Sequence, residues 1–177
     1  MKMKSTKRIC VLGLGNLMRT DDAAGMMAVR ALAEGGLAGE SAFGEIAFVE
    51  GGTLGLDLMH ALTGVTHLLA LDAVDVGDEP GTLVRFEKHE LGEIPSAKSV
   101  HLLGFSDLMG VMKLMGDEPE EIVLLGVQPK LIDWGTELTA EVQRAMCGLL
   151  VESKRQLEAW LGPDAGVAHA MSAGEHA

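Results

Sequence analysis

The feature that most constrains this chain is a set of four short, continuously apolar runs, each stopped abruptly and separated from the next by helix formers. Ile9-Cys10-Val11-Leu12 ends at Gly13, and Ile46-Ala47-Phe48-Val49 is closed by Gly51-Gly52. His67 to Leu71 ends at Asp72, and Ile122 to Val127 runs into Gln128-Pro129. A strand covered on both faces has no polar side to alternate with, so such runs specify inner strands of a parallel sheet. Between and after them, Ala23 to Leu32, Leu54 to Leu62 and Leu103 to Met115 read as helices, and Thr139 can cap a long last helix reaching about Trp160. Gly81 to Phe86 comes after the turn-rich Asp78-Glu79-Pro80-Gly81 with no helix before it, which predicts a strand antiparallel to its predecessor at or near an edge. The order predicts an α/β fold of three layers: a twisted, mostly parallel sheet of about five strands, one of them antiparallel, with helices on both faces.

At 177 residues the chain is the size of one domain, expected over 1–161, and Gly162 to Ala177 is rich in small residues and expected to be disordered. A net charge of −12 repels phosphate backbones, so no nucleic-acid partner is expected. No apolar stretch is long enough for membrane insertion. The basic start, Met1 to Arg8, looks like the opening of a signal peptide, but Gly13, Gly15 and Asn16 interrupt the apolar run and no small-residue cleavage site comes after it. A cytoplasmic location is expected. Cys10 and Cys147 form no C-x-x-C and read as buried thiols in a reducing compartment. Met109, Met112 and Met115 recur at helical spacing and read as core packing.

Ligands of open α/β sheets bind beyond the carboxyl ends of the strands. The residues just past the strand ends of this chain are mainly carboxylates and glycines: Gly13, Gly15, Asn16, Asp21 and Asp22; Glu50, Gly51, Gly52 and Thr53; Asp72 and Asp75; Gln128 and Pro129. Gly13-Leu14-Gly15 suggests a dinucleotide turn, but Met18 stands where the third glycine belongs, and Asp21 and Asp22 put negative charge where a pyrophosphate would sit. One of these two aspartates suffices to cap the next helix, which leaves the second for capping or function. Asp72 closes an apolar strand and needs a partner, either a loop amide or a ligand. His60, His67 and His89 read as surface residues, and His169 and His176 fall in the tail. His101 opens a helix over the sheet edge, where it is either solvent-exposed or a nitrogen ligand. Asp22, Asp72 and His101 together would offer two oxygens and one nitrogen, a set that suits a first-row divalent ion such as nickel or zinc. There is no H-E-x-x-H and no G-x-S-x-G nucleophile elbow.

With these residues the chain resembles the hydrogenase maturation proteases, endopeptidases that finish the large subunit of nickel–iron hydrogenases. The resemblance is carried by Gly13-Leu14-Gly15-Asn16-Leu17-Met18 with Thr20-Asp21-Asp22, by Glu50-Gly51-Gly52-Thr53, by Asp72-Ala73-Val74 with Pro80-Gly81-Thr82, by Ser99-Val100-His101-Leu102-Leu103-Gly104 and by Gly126-Val127-Gln128-Pro129. They occur in the family's order and cover roughly Arg8 to Trp160. The resemblance implies a single peptidase domain, with Asp22, Asp72 and His101 as its metal-contacting and catalytic residues. It implies nickel carried by the substrate, with no tightly bound organic cofactor, and a large-subunit precursor as partner, clipped of its C-terminal extension. Asp22 stands where the family often has glutamate, and Val100 where some relatives have proline. Two other functions stay open: a non-catalytic maturation chaperone for the immature subunit, and a nucleotide-binding enzyme using the glycine turn.

Overall fold

The first apolar run forms the centre of the fold. β1 (Lys7–Leu14) is buried from Ile9 onward, and its side chains alternate between two cores. Ile9 and Val11 enter one core; Cys10, Leu12 and Leu14 enter the other. Burial pushes the Cys10 thiol up to about 12, which keeps it protonated and inert. In this computed structural model the described residues are 7–37, 39–41, 44–53, 55–91 and 100–162, so the expectations for the tail, His169 and His176 among them, lie outside the described residues.

After β1 the chain continues as α1 (Ala24–Leu32), β2 (Gly39–Ser41), β3 (Gly44–Gly52), α2 (Met59–Leu62), β4 (His67–Ala73), β5 (Leu83–Glu87), α3 (Val100–Met115), β6 (Glu121–Val127) and α4 (Ala140–Leu161). The sheet order is β2-β3-β1-β4-β6-β5. β3, β1, β4 and β6 are mutually parallel neighbours, as their apolar runs require, and the register sets Ile9 beside both Ile46 and His67. One face is covered by α1 and α4, through Ala28, Val29, Leu32, Val142, Leu149 and Leu157. The other is covered by α2 and α3, through Leu62, Phe105, Leu108 and Met112. The three layers are those expected.

Several details differ from expectation. Both edges are antiparallel: β5 pairs with β6, and the three-residue β2 pairs with β3. β5 does not lie against its predecessor because the crossover through α3 inserts β6 beside β4 and leaves β5 outside it. Its Arg85 and Glu87 are exposed, which discourages pairing with another chain. The helix expected from Leu54 is a 3-10 turn, Gly55–Leu58, leading into the single turn of α2. Met109 and Met112 are core residues, but Met115 at the end of α3 is exposed, as is Cys147 on the outer side of α4.

His67 is the largest correction. It is buried rather than solvated, because α4 returns across the start of β4 and lays Trp160 edge-on against the imidazole, 5.2 Å between centroids. Nδ1 lies 2.8 Å from Thr66 Oγ1, and Nε2 lies 3.8 Å from a Glu121 carboxylate oxygen whose partner oxygen accepts the Trp160 indole N–H. Burial holds the imidazole below its ordinary pKa, and the Glu121 carboxylate opposes that only in part. The unfolded chain therefore binds a proton here more readily than the folded one. The stability this group contributes is present above the unfolded value of 6.5 and is lost as pH falls through the depressed folded value. Denaturant unfolding at pH 7.5 and 5.5 is expected to show a larger loss of stability in the native chain than in His67→Phe, which keeps the ring packing without the titration.

Candidate active site at the carboxyl edge of the sheet

At the end of β1 the chain must reverse within a few residues, and Gly15 makes this possible. Its φ is +115°, and a Cβ there would lie 1.9 Å from the Asp22 carbonyl oxygen. The chain re-enters as a 3-10 turn, Thr20–Ala23, that precedes α1. Thr20 is the one non-glycine with positive φ among the described residues, at +40°. For a β-branched residue that conformation costs on the order of 1–3 kcal/mol. Three hydrogen bonds hold it: its N–H donates to Gly135 O (2.8 Å), its hydroxyl donates to Leu131 O (2.7 Å), and the hydroxyl accepts from Asp133 N–H (3.0 Å).

The two adjacent aspartates do different work, and neither caps α1, whose N-cap position is Ala23 with no side-chain cap. Asp21 is wholly buried. Its Oδ2 accepts the N–H groups of Lys130 (2.8 Å) and Leu131 (3.0 Å) and the Thr139 hydroxyl (2.9 Å), and its Oδ1 accepts the Thr139 N–H (2.7 Å). Thr139 does occupy the N-cap position of α4, but its hydroxyl is spent on Asp21 instead of the helix. Asp22 is buried too, and its Oδ2 accepts the Asn16 N–H at 2.9 Å, closing the loop that Gly15 opens.

Asp72 is fully buried near the end of β4, on the same side of the strand as Leu68 and Ala70 and so toward the α3 layer. Its Oδ1 accepts the N–H of Ala73 at 2.8 Å. β1 and β4 are paired through Gly13 and Leu71, and the Asp22 turn packs on the end of β4. Gly25 keeps them close, since a Cβ on it would lie 2.1 Å from Leu71 O and 2.5 Å from Leu14 O. The loop after Asp72 is fixed by Gln128, whose Oε1 accepts the N–H groups of Val76 (2.8 Å), Gly77 (3.1 Å) and Asp78 (3.2 Å). Its amide donates to Asp75 Oδ1 and Pro129 O.

The backbone of His101 lies in the first turn of α3, and its side chain lies outside the described residues. Gly104, one turn on, faces Gly55 and helps line a cleft of about 150 Å³ with Leu14, Gly52 and Phe105, so α3 begins at the same edge. Of the three expected site residues, Asp72 is thus held near the end of β4, Asp22 in the 3-10 turn that packs on that strand, and the helix turn bearing His101 begins at the same edge of the sheet. Among the described residues no three His, Cys, Asp or Glu side chains form a metal-holding group. Glu50 points away and pairs with Arg30 at 2.6 Å, which holds its carboxyl below the ordinary range. The glycine turn is packed over the Asp22 backbone. The roles of Asp21 and Gln128 are not legible in the sequence, because their partners are other loops and no local pattern announces them.

A doubly covered α/β sheet with buried carboxylates at its carboxyl edge has the plan of an enzyme whose site handles positive charge or hydrolysis. Comparison with known proteins makes this specific. Residues 29–152 match the HycI hydrogenase maturation protease family, a stretch that includes Asp72 and His101 and begins after Asp22. The hydrogenase expression/formation protein HupD of Rhizobium leguminosarum bv. viciae is 35% identical over 156 residues, covering 86% of this chain and 75% of that protein. The hydrogenase 2 maturation protease of Escherichia coli K12 is 31% identical over 138 residues, covering 77% and 82%. The solved hydrogenase maturating endopeptidase HybD from Escherichia coli superposes with a TM-score of 0.76 at 30% identity, covering 86% of this chain and 93% of that one. The chain belongs to the hydrogenase maturation protease family and is an endopeptidase.

Asp21→Ala removes all four hydrogen bonds that the Asp21 carboxylate accepts and strands buried amide donors. The expected loss is about 3 kcal/mol or more, a fall in Tm of roughly 6–12 °C by calorimetry. Asp21→Asn is expected to recover little, because its amide nitrogen would face a donor.

Proposed function

We propose that this endopeptidase removes a C-terminal extension from the large-subunit precursor of a nickel–iron hydrogenase after nickel has been inserted, and that Asp22, Asp72 and His101 contact that substrate-borne nickel. The observation that carries the reading is the pair of buried carboxylates at the carboxyl edge of the sheet, one near the end of β4 and one in the turn packed on it, at the edge where the helix bearing His101 begins. Burying carboxylates is costly, and positive charge brought by a ligand offsets that cost. Two carboxylate oxygens and one imidazole nitrogen suit a first-row divalent ion, and they leave coordination positions for ligands that the precursor supplies.

Nickel then reports that the precursor is ready. A chain without the ion presents nothing for the three residues to hold. In the loaded precursor the scissile bond lies close to the ion, and an aspartate takes the proton of the attacking water. The water oxygen adds to the carbonyl carbon, the C–N bond breaks, and the proton returns to the departing amine. This chemistry requires no organic cofactor. No helix among the described residues is long and apolar enough to cross a membrane, in keeping with action in the cytoplasm, where the precursor is made.

The test is incubation of the purified protein with nickel-loaded precursor, read by intact mass. Loss of a C-terminal fragment is expected, with no loss from metal-depleted precursor; equal cutting of both would remove nickel from the account. His101→Ala is expected to lower cleavage on the order of 100-fold or more with an unchanged Tm. Full processing by that variant would take His101 out of the site. Asp22→Glu is expected to retain more activity than Asp22→Ala, since a longer carboxylate still reaches a metal. Equal loss in both would assign Asp22 a structural role instead of a metal contact.

A further inference from the structure

Beside Asp22 the sheet edge carries an apolar surface that folding does not account for. Trp134 is 77% exposed, Met18 55%, Leu131 49% and Ile132 41%. Large apolar side chains left in water forgo the stabilisation that burial would give them. These residues are nevertheless held in one arrangement. Lys130 and Leu131 are tied to the Asp21 carboxylate, and the Thr20 hydroxyl bridges Leu131 O and Asp133 N–H. Asp133 Oδ1 accepts the Trp134 N–H at 2.7 Å, and the Gly135 N–H donates to Met18 O at 3.0 Å. The strands of this ledge approach so closely that a Cβ on Gly135 would lie 2.9 Å from Thr20 Cγ2.

A cation completes the surface. The Arg19 guanidinium carbon lies 6.0 Å from the centre of the Trp134 ring. Its Nε is buried without a hydrogen-bond acceptor, and Arg19 makes no ion pair among the described residues. In a chain of net charge −12, that is an unusual place to leave an arginine without a carboxylate among the described residues.

We propose that Met18, Leu131, Ile132 and Trp134 form a preorganised docking ledge for the folded body of the hydrogenase precursor, with Arg19 meeting an acidic side chain at its rim. The inference rests on the proteolytic reading and adds to it the surface by which the substrate is held. Protruding side chains call for a concave, folded acceptor; an extended peptide needs a groove. The position of the ledge argues for the substrate itself. Thr20 and Asp21, which hold the ledge, are the residues immediately before Asp22, so a partner seated there is set at a fixed distance from the site. An ordered aromatic anchor beside an arginine is also the composition of an interface hot spot.

Steady-state cleavage of nickel-loaded precursor, with unaltered protein, Trp134→Ala and the double variant Leu131→Ser/Ile132→Ser, tests the proposal. KM is expected to rise about tenfold or more in the variants. kcat should stay within about twofold, and Tm should not move, because these side chains are exposed. A synthetic peptide of the C-terminal extension should compete equally poorly against all three proteins. Unchanged KM in the variants, with the unaltered protein cutting normally, overturns the ledge and leaves the proteolytic reading standing. Competition by the peptide that Trp134→Ala abolishes would assign the ledge to the extension, and a dimer that Trp134→Ala dissociates in sedimentation would assign it to a second copy. Either result overturns the proposal. Absence of cleavage by the unaltered protein overturns the proteolytic reading and this inference together.

Discussion

The buried carboxylate of Asp21 is the interaction on which the working edge of this molecule depends. A carboxylate taken wholly out of water is tolerable only when donors replace the water, and here they come from two places more than a hundred residues further along the chain, Lys130-Leu131 and Thr139. One side chain therefore fixes three things. It sets where α4 begins, it gives the loop after β6 a single shape, and it anchors the turn from which Asp22 projects. The left-handed backbone of Thr20 is offset inside the same knot, because the hydroxyl and amide that its strained conformation aims at Leu131, Asp133 and Gly135 would otherwise lack partners. Strain at one residue and burial of charge at the next are balanced by one set of hydrogen bonds.

Alternation along the strands decides the rest of the site. Asp72 shares a face with Leu68 and Ala70, so it turns toward the layer that α3 covers, and α3 begins at the carboxyl edge because its glycine turn crosses Gly55 there. A shift of β4 by one residue would send Asp72 into the core beneath α1 and α4. The glycines at 15 and 25 let the Asp22 turn settle directly on the ends of β1 and β4. A Cβ at either would collide with backbone, so these positions are closed to every other residue without a shift of the chain.

The range of the forces involved decides how much of this is legible in the sequence. Continuous apolar runs announce inner strands because their whole environment is apolar, and all four of those runs lie in parallel strands. β2 carries no such signal: Gly39-Glu40-Ser41 has no apolar character, and it is a strand only because β3 offers it an edge. His67 misleads for a similar reason. It begins an apolar run, but its cover comes from Trp160, at the far end of the chain. The Asp21-Asp22 pair reads as one structural and one spare carboxylate, yet nothing local reveals that the structural one serves α4 instead of α1. The ledge is invisible on the same ground, since Leu131, Ile132 and Trp134 become a surface only when Asp21 and Thr20 fold the loop back on Met18.

A peptidase without a nucleophile elbow must achieve selectivity by other means. A site composed of carboxylates and an imidazole would meet many metal ions and many peptides, so its discrimination must come from what is held nearby and how rigidly. In this molecule Asp22 and the two residues that hold the apolar ledge, Thr20 and Asp21, are consecutive on one turn, and that turn is immobilised by a buried charge that cannot shift without losing several donors at once. On the proposed reading, a folded partner seated on the ledge would be held in register with the sheet edge, and only a chain whose metal then fell between Asp22 and Asp72 would satisfy both contacts. Selectivity on this plan lies in the fixed offset between two surfaces, which neither surface alone provides.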